Sequence, residues 1–257
     1  MIFLKLGGSL ITDKSKPLTP RIDVINRLAA EIAAAWRGAS EMPLLLGHGS
    51  GSFGHYAAAQ AGTHLGARTA QDWSGFISVA DAARQLHQLV MRELLNGGLP
   101  AMSFPPSAMA LARDGEVLTY HAAPIVHAVD RGLIPVVYGD VVFDESQGSA
   151  ILSTEQVFSA LAPDVQPQRL LLAGQTAGVL DDEGNTIEVL RPFDLAGLKF
   201  ERVPGQDVTG GMRAKIEQAI AWAREFSQAE VLIFSASQPG LLKDVLLGAT
   251  AGTRVQP

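Results

Sequence analysis

Short apolar runs, most of them bounded by Gly or Pro, recur along the chain: IFLKLGG (2–8), PLLLGHG (43–49), PAMSFPP (100–106), IPVVYGD (134–140), RLLLAGQ (169–175) and EVLIFSA (230–236). Runs of this length between turn formers predict buried strands. Between most of them the apolar spacing becomes helical. Residues 20–37 set Ile22, Ile25, Leu28, Ala29, Ile32 and Trp36 on one face, with Thr19 as cap and Pro20 as first helical residue. Residues 74–96 read as a long striped helix ending at Gly97-Gly98, and residues 211–226 as another, with Met212, Ile216, Ile220 and Ala223 in register.

Strand followed by helix, repeated, predicts an α/β protein with a mostly parallel central sheet covered on both faces. Residues 141–152 break the pattern and read as a hairpin turning at Gln147-Gly148; GEVLTY and NTIEVL read as short extra strands. The stretch DVQPQ (164–168) is the best candidate boundary, dividing lobes 1–165 and 166–257 that share one sheet. Ligands of such sheets bind at the carboxyl ends of strands. Gly7-Gly8, Gly47 to Gly54 and Gly139-Asp140 all fall there.

Composition narrows the class. A chain of 257 residues, 47% hydrophobic and 18% charged, suits one large domain or two fused lobes. With 0 Cys there are no disulfides, thiolate metal sites or cysteine nucleophiles, and the 6 His form no HExxH, so no metal ligand set is expected. A net charge of -6 argues against nucleic acid. Lys5 interrupts the N-terminal apolar stretch, and no run approaches bilayer length, so no membrane segment and a cytoplasmic location are expected.

The loop GHGSGSFGH (47–55) carries the first candidate chemistry. Glycine lets backbone approach a ligand closely, and N–H groups at a helix start favour an anion. Gly49, Gly51 and Gly54 also match GxGxxG, with Asp72 downstream, which is the dinucleotide fingerprint in weak form. His55 beside that loop suits a phosphate oxygen or a general acid/base role. His48, His64, His87, His121 and His127 are read as surface or capping histidines. Lys5 lies inside an apolar strand and must face a cleft, since an unpaired buried ammonium is costly. Gly7, Gly8 and Ser9 follow it, then Lys14. In QDVTGGMRAK (206–215), Asp207 or Thr209 can cap a helix opened by Gly210-Gly211, and Lys215 can fold back to its start. Two phosphorylated ligands meeting in one cleft explain all three glycine turns, which is the layout for phosphoryl transfer. No Walker motif, HRD, DFG or GxSxG is present.

KLGGSLIT, GSGSFGH, LPAMSFPPSA, VVYGDVVFD, ILST and DVTGGMRAK together resemble the amino acid kinase superfamily and, within it, the isopentenyl phosphate kinases. The resemblance spans nearly the whole chain and implies a three-layer α/β sandwich and a homodimer. It implies ATP and Mg²⁺ as cofactors and isopentenyl phosphate as the small-molecule partner. The product would be isopentenyl diphosphate, a precursor for isoprenoid synthesis by an alternative mevalonate route. Carried over by position, Lys5, Gly7, Gly8 and Ser9 would contact ATP phosphates, joined by Gly211 and Lys215, with Asp207 supporting their loop. Lys14 would stabilise the transferring group. Ser50 and Gly51 would lie between acceptor and donor, with Gly54 and Thr154 beside the acceptor. His55 would donate to the acceptor phosphate.

Two departures accompany it. Ser153-Thr154-Glu155-Gln156 replaces an SGDD-like stretch, so the organiser of the two active-site lysines would be Glu155, and Gln175 and Ala177 replace two acids of a nucleotide-binding stretch. For the apolar tail, the helix at 74–96 offers Phe76, Ile77, Ala80 and Ala83. The rival readings are a fosfomycin-type kinase with a polar pocket, a nicotinamide-dependent oxidoreductase using the 49–54 glycines, and a non-catalytic nucleotide sensor.

Overall fold

The computed structural model describes residues 1–39, 42–62, 66–197 and 211–257. The chain opens with β1 (Ile2–Leu6), the short α1 (Gly8–Ile11), α2 (Ile22–Gly38), β2 (Leu44–His48), α3 (Gly51–Ala61) and the 27-residue α4 (Ala70–Asn96). It continues with β3 (Ala101–Ser103), α5 (Pro106–Met109), β4 (Ala110–Arg113), β5 (Glu116–Tyr120), α6 (Ala123–Asp130), β6 (Ile134–Tyr138), β7 (Asp140–Asp144), β8 (Gly148–Leu152) and α7 (Thr154–Val165). The last part holds β9 (Arg169–Gly174), β10 (Val189–Leu190), α8 (Gly211–Glu225), β11 (Glu230–Ser235), α9 (Leu241–Leu246) and β12 (Thr253–Val255).

Among the described residues the main sheet runs β10-β12-β11-β9-β1-β2-β6-β3, parallel except for the β11/β12 pair. A smaller sheet, β5-β4-β7-β8, holds the expected 141–152 hairpin. β1 lies between β2 and β9, so strands before residue 166 extend to one side and later strands to the other. The sheet crosses the 164–168 stretch without a break. The order of strand addition reverses at β1, and a ligand crevice forms at the carboxyl end of such a strand.

Strand alternation sorts the core into two layers. Leu4, Leu6, Leu44 and Leu46 pack with Ile25, Leu28 and Ile32 of α2 and Leu86, Val90 and Leu94 of α4. Phe3 and Leu45 point the other way, onto Phe158 and Leu161 of α7 and Ile216 and Trp222 of α8. Each fully buried aliphatic or aromatic side chain of this kind contributes about 1.5–3 kcal/mol.

Local chemistry moved some boundaries. α2 starts at Ile22, not Pro20: Thr19 Oγ1 donates to the Pro17 carbonyl, and Pro20 bridges to Thr12. Ile22 is then exposed rather than core. α4 starts earlier than expected, at Ala70, because Thr69 and Asp72 form a reciprocal capping box. NTIEVL gives only the two residues of β10 and a bridge from Thr186 to Leu180.

Candidate active site

Two glycine turns lie side by side at the carboxyl ends of β1 and β2. A Cβ on Gly8 would stand 2.5 Å from the Gly51 nitrogen, and one on Gly49 would stand 2.9 Å from the Gly8 nitrogen. Only glycine allows backbones this close. Gly51 also takes φ +51°, which a side chain resists. Thr12 ties the turns together: its hydroxyl donates to the Gly8 carbonyl at 2.7 Å and accepts from the Ser52 N–H at 2.9 Å. Gly7 N–H donates to the Ala173 carbonyl of β9 at 2.8 Å.

Period two in β1 puts Lys5 on the same face as Phe3. Phe3 meets Phe158 with ring centroids 5.0 Å apart. Glu155 lies three residues before Phe158, one helical turn back on the same face of α7. So where Phe3 meets Phe158, Lys5 meets Glu155, and the two form a buried ion pair. Burial pushes the Glu155 carboxyl up, but the charge and hydrogen bond of Lys5 and the charge of Lys215 outweigh it and leave it below the usual carboxylate value. The substitution of Glu155 for a shorter acid therefore still gives a carboxylate set between two lysines. Its neighbours Ser153 and Gln156 form the capping box that starts α7.

One cavity brings together Lys5, Gly8, Ser9, Lys14, Ser50, Gly51, His55, Thr154, Glu155 and Lys215. Thr154 reaches it with its hydroxyl already committed to the His48 carbonyl at 2.7 Å. Gly7 stands directly behind Gly8, and Gly211 begins α8, the helix that carries Lys215. Asp207, Thr209 and Gly210 lie outside the described residues, as does His64. Gln175 and Ala177 are exposed just beyond β9.

A second, narrow cavity shares Ser50, His55, Gly139 and Ile151 with the first and adds Gly54, Ala58, Val79, Ala83 and Asp140. Of the tail-pocket candidates, Ala83 lines it. Phe76 stands behind it, packed with Ala58, Val79 and Val141. Ala80 borders a different, outer groove together with Ile77, which is 67% exposed. Sequence reasoning missed Ala58, Val79, Asp140 and Ile151. The only signal for them was the Gly139-Asp140 pair at a strand end. Burial pushes the Asp140 carboxyl up; it accepts from the Ser107 and Val141 N–H groups at 3.2 and 2.9 Å.

Asp72, the candidate ribose acid of the dinucleotide fingerprint, is spent on the Arg68 and Thr69 N–H groups at 2.9 and 2.7 Å. Among the described residues no three His, Asp or Glu side chains are grouped to hold a metal, and no helix is long and apolar enough to cross a membrane.

The family model of the amino acid kinase family matches residues 1–235. An isopentenyl phosphate kinase of Methanothermobacter thermautotrophicus is 32% identical, over 99% of this chain and 98% of its own length. One from Methanocaldococcus jannaschii is 28% identical over 99% and 98%. A solved structure described as isopentenyl phosphate kinase superposes with TM-score 0.83 and 29% identity, over 100% of both chains. The chain belongs to the amino acid kinase family and, within it, groups with the isopentenyl phosphate kinases.

Proposed function

We propose that this chain moves the γ-phosphoryl group of ATP onto the phosphate of isopentenyl phosphate, giving isopentenyl diphosphate and ADP. The observation that carries the reading is the convergence of Lys5, Lys14, Lys215 and His55 on one cavity that continues into an apolar one. The acceptor phosphate is ionised at neutral pH and attacks directly, so no strong base is required. His55 donates to it and positions it. The hydrocarbon tail enters the cavity lined by Ala58, Val79, Ala83 and Ile151, which favours it over the polar fosfomycin molecule. ATP phosphates lie against Gly7, Gly8 and Ser9, with Lys5, Gly211 and Lys215. Lys14 meets the transferring group as its charge redistributes. Glu155 aligns Lys5 and Lys215. Mg²⁺ would accompany ATP, held by phosphate oxygens and water, because among the described residues the carboxylate that lines this cavity, Glu155, is already paired with lysine.

In this reading, residues 1–165 form the acceptor-phosphate lobe and residues 166–257 the ATP lobe, with the turn after β1 in the first lobe also meeting the ATP phosphates. The assembly is a homodimer formed through the outer face of α4, where Ile77 and Leu95 are exposed, and the β3 edge strand bearing Met102. The protein works in the cytoplasm and supplies isoprenoid precursors. ADP release from Mg-ATP with isopentenyl phosphate, against fosfomycin and a no-acceptor blank, tests it. Turnover is expected with isopentenyl phosphate only. His55→Ala is expected to lower kcat/KM about 100-fold, as for loss of one charge-stabilising donor. Turnover with fosfomycin alone would keep the fold and replace the substrate.

A further inference from the structure

Directly behind the acceptor turn lies a buried pair of histidines that the reaction above does not use. His48 ends β2 and points to the α4 side, where it meets His87; both are buried. The hydrogen bonds fix their protons. His48 Nδ1 lies 3.2 Å from the Gly49 carbonyl oxygen, which only accepts, so Nδ1 carries the proton. In a neutral ring Nε2 is then bare. It lies 3.0 Å from His87 Nδ1, which must be the donor. His87 Nε2 is bare in turn and accepts the Ser103 hydroxyl at 2.7 Å. The chain runs one way: Ser103 to His87 to His48 to Gly49. A proton added at His48 Nε2 would set donor against donor, and one added at His87 Nε2 would force the Ser103 hydroxyl to turn and accept. Burial keeps both rings neutral, lowering His48 to about 4 and His87, which also feels His48, to about 2. Stacking on Tyr138, at centroid distances of 5.6 and 4.2 Å, holds the ring planes.

The Gly49 carbonyl and the Ser50 N–H are opposite edges of one trans peptide. Drawing the carbonyl toward His48 turns the N–H the other way. Ser50 lines both cavities, and a Cβ on Gly139 would stand 3.7 Å from its nitrogen. The preceding peptide is pinned independently: Gly49 N–H donates to Leu6 at 3.0 Å, and the His48 carbonyl accepts from Gly139 at 3.0 Å and Thr154 at 2.7 Å. The Gly49–Ser50 peptide, next to a glycine, relies on the His48 ring. We propose that His48, held in one tautomer by His87 and Ser103, is a positioning residue that aims the Ser50 N–H at the phosphoryl oxygen passing between the two ligands. This rests on the phosphoryl-transfer reading.

Ring ¹⁵N NMR of the unliganded full chain at pH 7 is expected to find both rings neutral with the proton on Nδ1. A proton on Nε2 of either ring would overturn the wiring. His48→Phe keeps the ring and its stacking but loses the donor; His48→Asn places an amide N–H near the Nδ1 position. Thermal melts establish that both fold. His48→Phe is expected to lower kcat about 100-fold with KM for isopentenyl phosphate within about threefold, the pattern of an interaction made in the transition state. His48→Asn is expected to retain kcat within about tenfold of wild type. Equal kcat in the two variants would sink the positioning role. Should His48→Phe not fold, His87→Phe decides from the far end: a His48 ring no longer held to the Nδ1 tautomer, with reduced kcat, supports the chain, and an unchanged His48 tautomer with unchanged kcat overturns it. The kcat ratio is read with whichever acceptor the wild type uses. A wrong substrate therefore shows as a wild type silent with isopentenyl phosphate, and a wrong positioning role shows as equal variants.

Discussion

The β1 and β2 turns are neighbours in one sheet, with Lys5 opposite Gly47 and Leu6 opposite His48, yet they are supported in opposite ways. Behind the first, on the α7 and α8 side, stands an ion pair, Lys5 with Glu155. Behind the second, on the α4 side, stands a neutral imidazole pair. The side chain that β1 spends on charge is in β2 a glycine: a Cβ at Gly47 would meet Phe158 at 2.8 Å. In the proposed reaction, charge stands where a polyphosphate is neutralised, and neutral groups stand where a backbone peptide has only to be aimed. A charged support under the second turn would compete with the ligand for the same field.

The largest break in this comparison is at the ion pair. Lys5→Met leaves Glu155 buried without its main partner and is expected to cost about 3–5 kcal/mol of folding stability. Urea unfolding measures it. The double variant Lys5→Met/Glu155→Leu is expected to recover most of that stability while ADP release stays absent, since an apolar pair replaces a buried ion pair well but cannot meet phosphate. Recovered activity would show that Lys5 serves the fold alone.

Acid separates the two supports next. Both histidines have folded values below their unfolded 6.5, so the unfolded chain binds more protons as pH falls through 6.5. Their contribution is complete above pH 6.5 and is lost below it, by about 1.4 kcal/mol per pH unit for each ring well below that point. Glu155 has a depressed folded value, so its contribution is also present at high pH but fails only below the ordinary carboxylate range. Unfolding free energy measured at pH 7.5 and 5.5 is expected to fall by roughly 2–3 kcal/mol. His87→Phe should remove about half of that fall; an unchanged slope would refute the assignment.

How much of this could be read from the chain depends on the kind of support. Lys5 announces itself, because a lysine inside an apolar strand needs a partner or a cleft. Lys14, His55 and Lys215 stand beside glycine turns and were legible for that reason. Glu155 was reached only by resemblance: its match to Lys5 depends on α7 packing so that Phe158 faces Phe3. His48 and His87 were illegible, since a histidine in an apolar run looks like ordinary core, and their pairing spans 39 residues and two elements. The tail pocket shows the limit of helical spacing. α4 touches the main core, the small cluster around Phe76 and an outer groove at once, so periodicity alone does not tell Ala83 from Ala80.

The smallest effect concerns Asp72, the residue that the glycine fingerprint made suspicious. Asp72→Ala is expected to lower stability by about 1 kcal/mol through the lost cap, with kcat and KM unchanged. Altered nucleotide affinity would reopen the oxidoreductase reading.

The unbroken sheet has a mechanical consequence. β1 is paired to β2 over Ile2 to Leu6 on one side and to β9 over the same residues on the other. The turns after β2, β1 and β9 are therefore spaced by the sheet itself, one strand separation or about 4.8 Å apart. Bending the two halves apart at this line would shear both ladders, so the β1 line itself is not a hinge. In the proposed reaction, the scaffold acts as a stiff gauge block that holds the span between the two ligands constant.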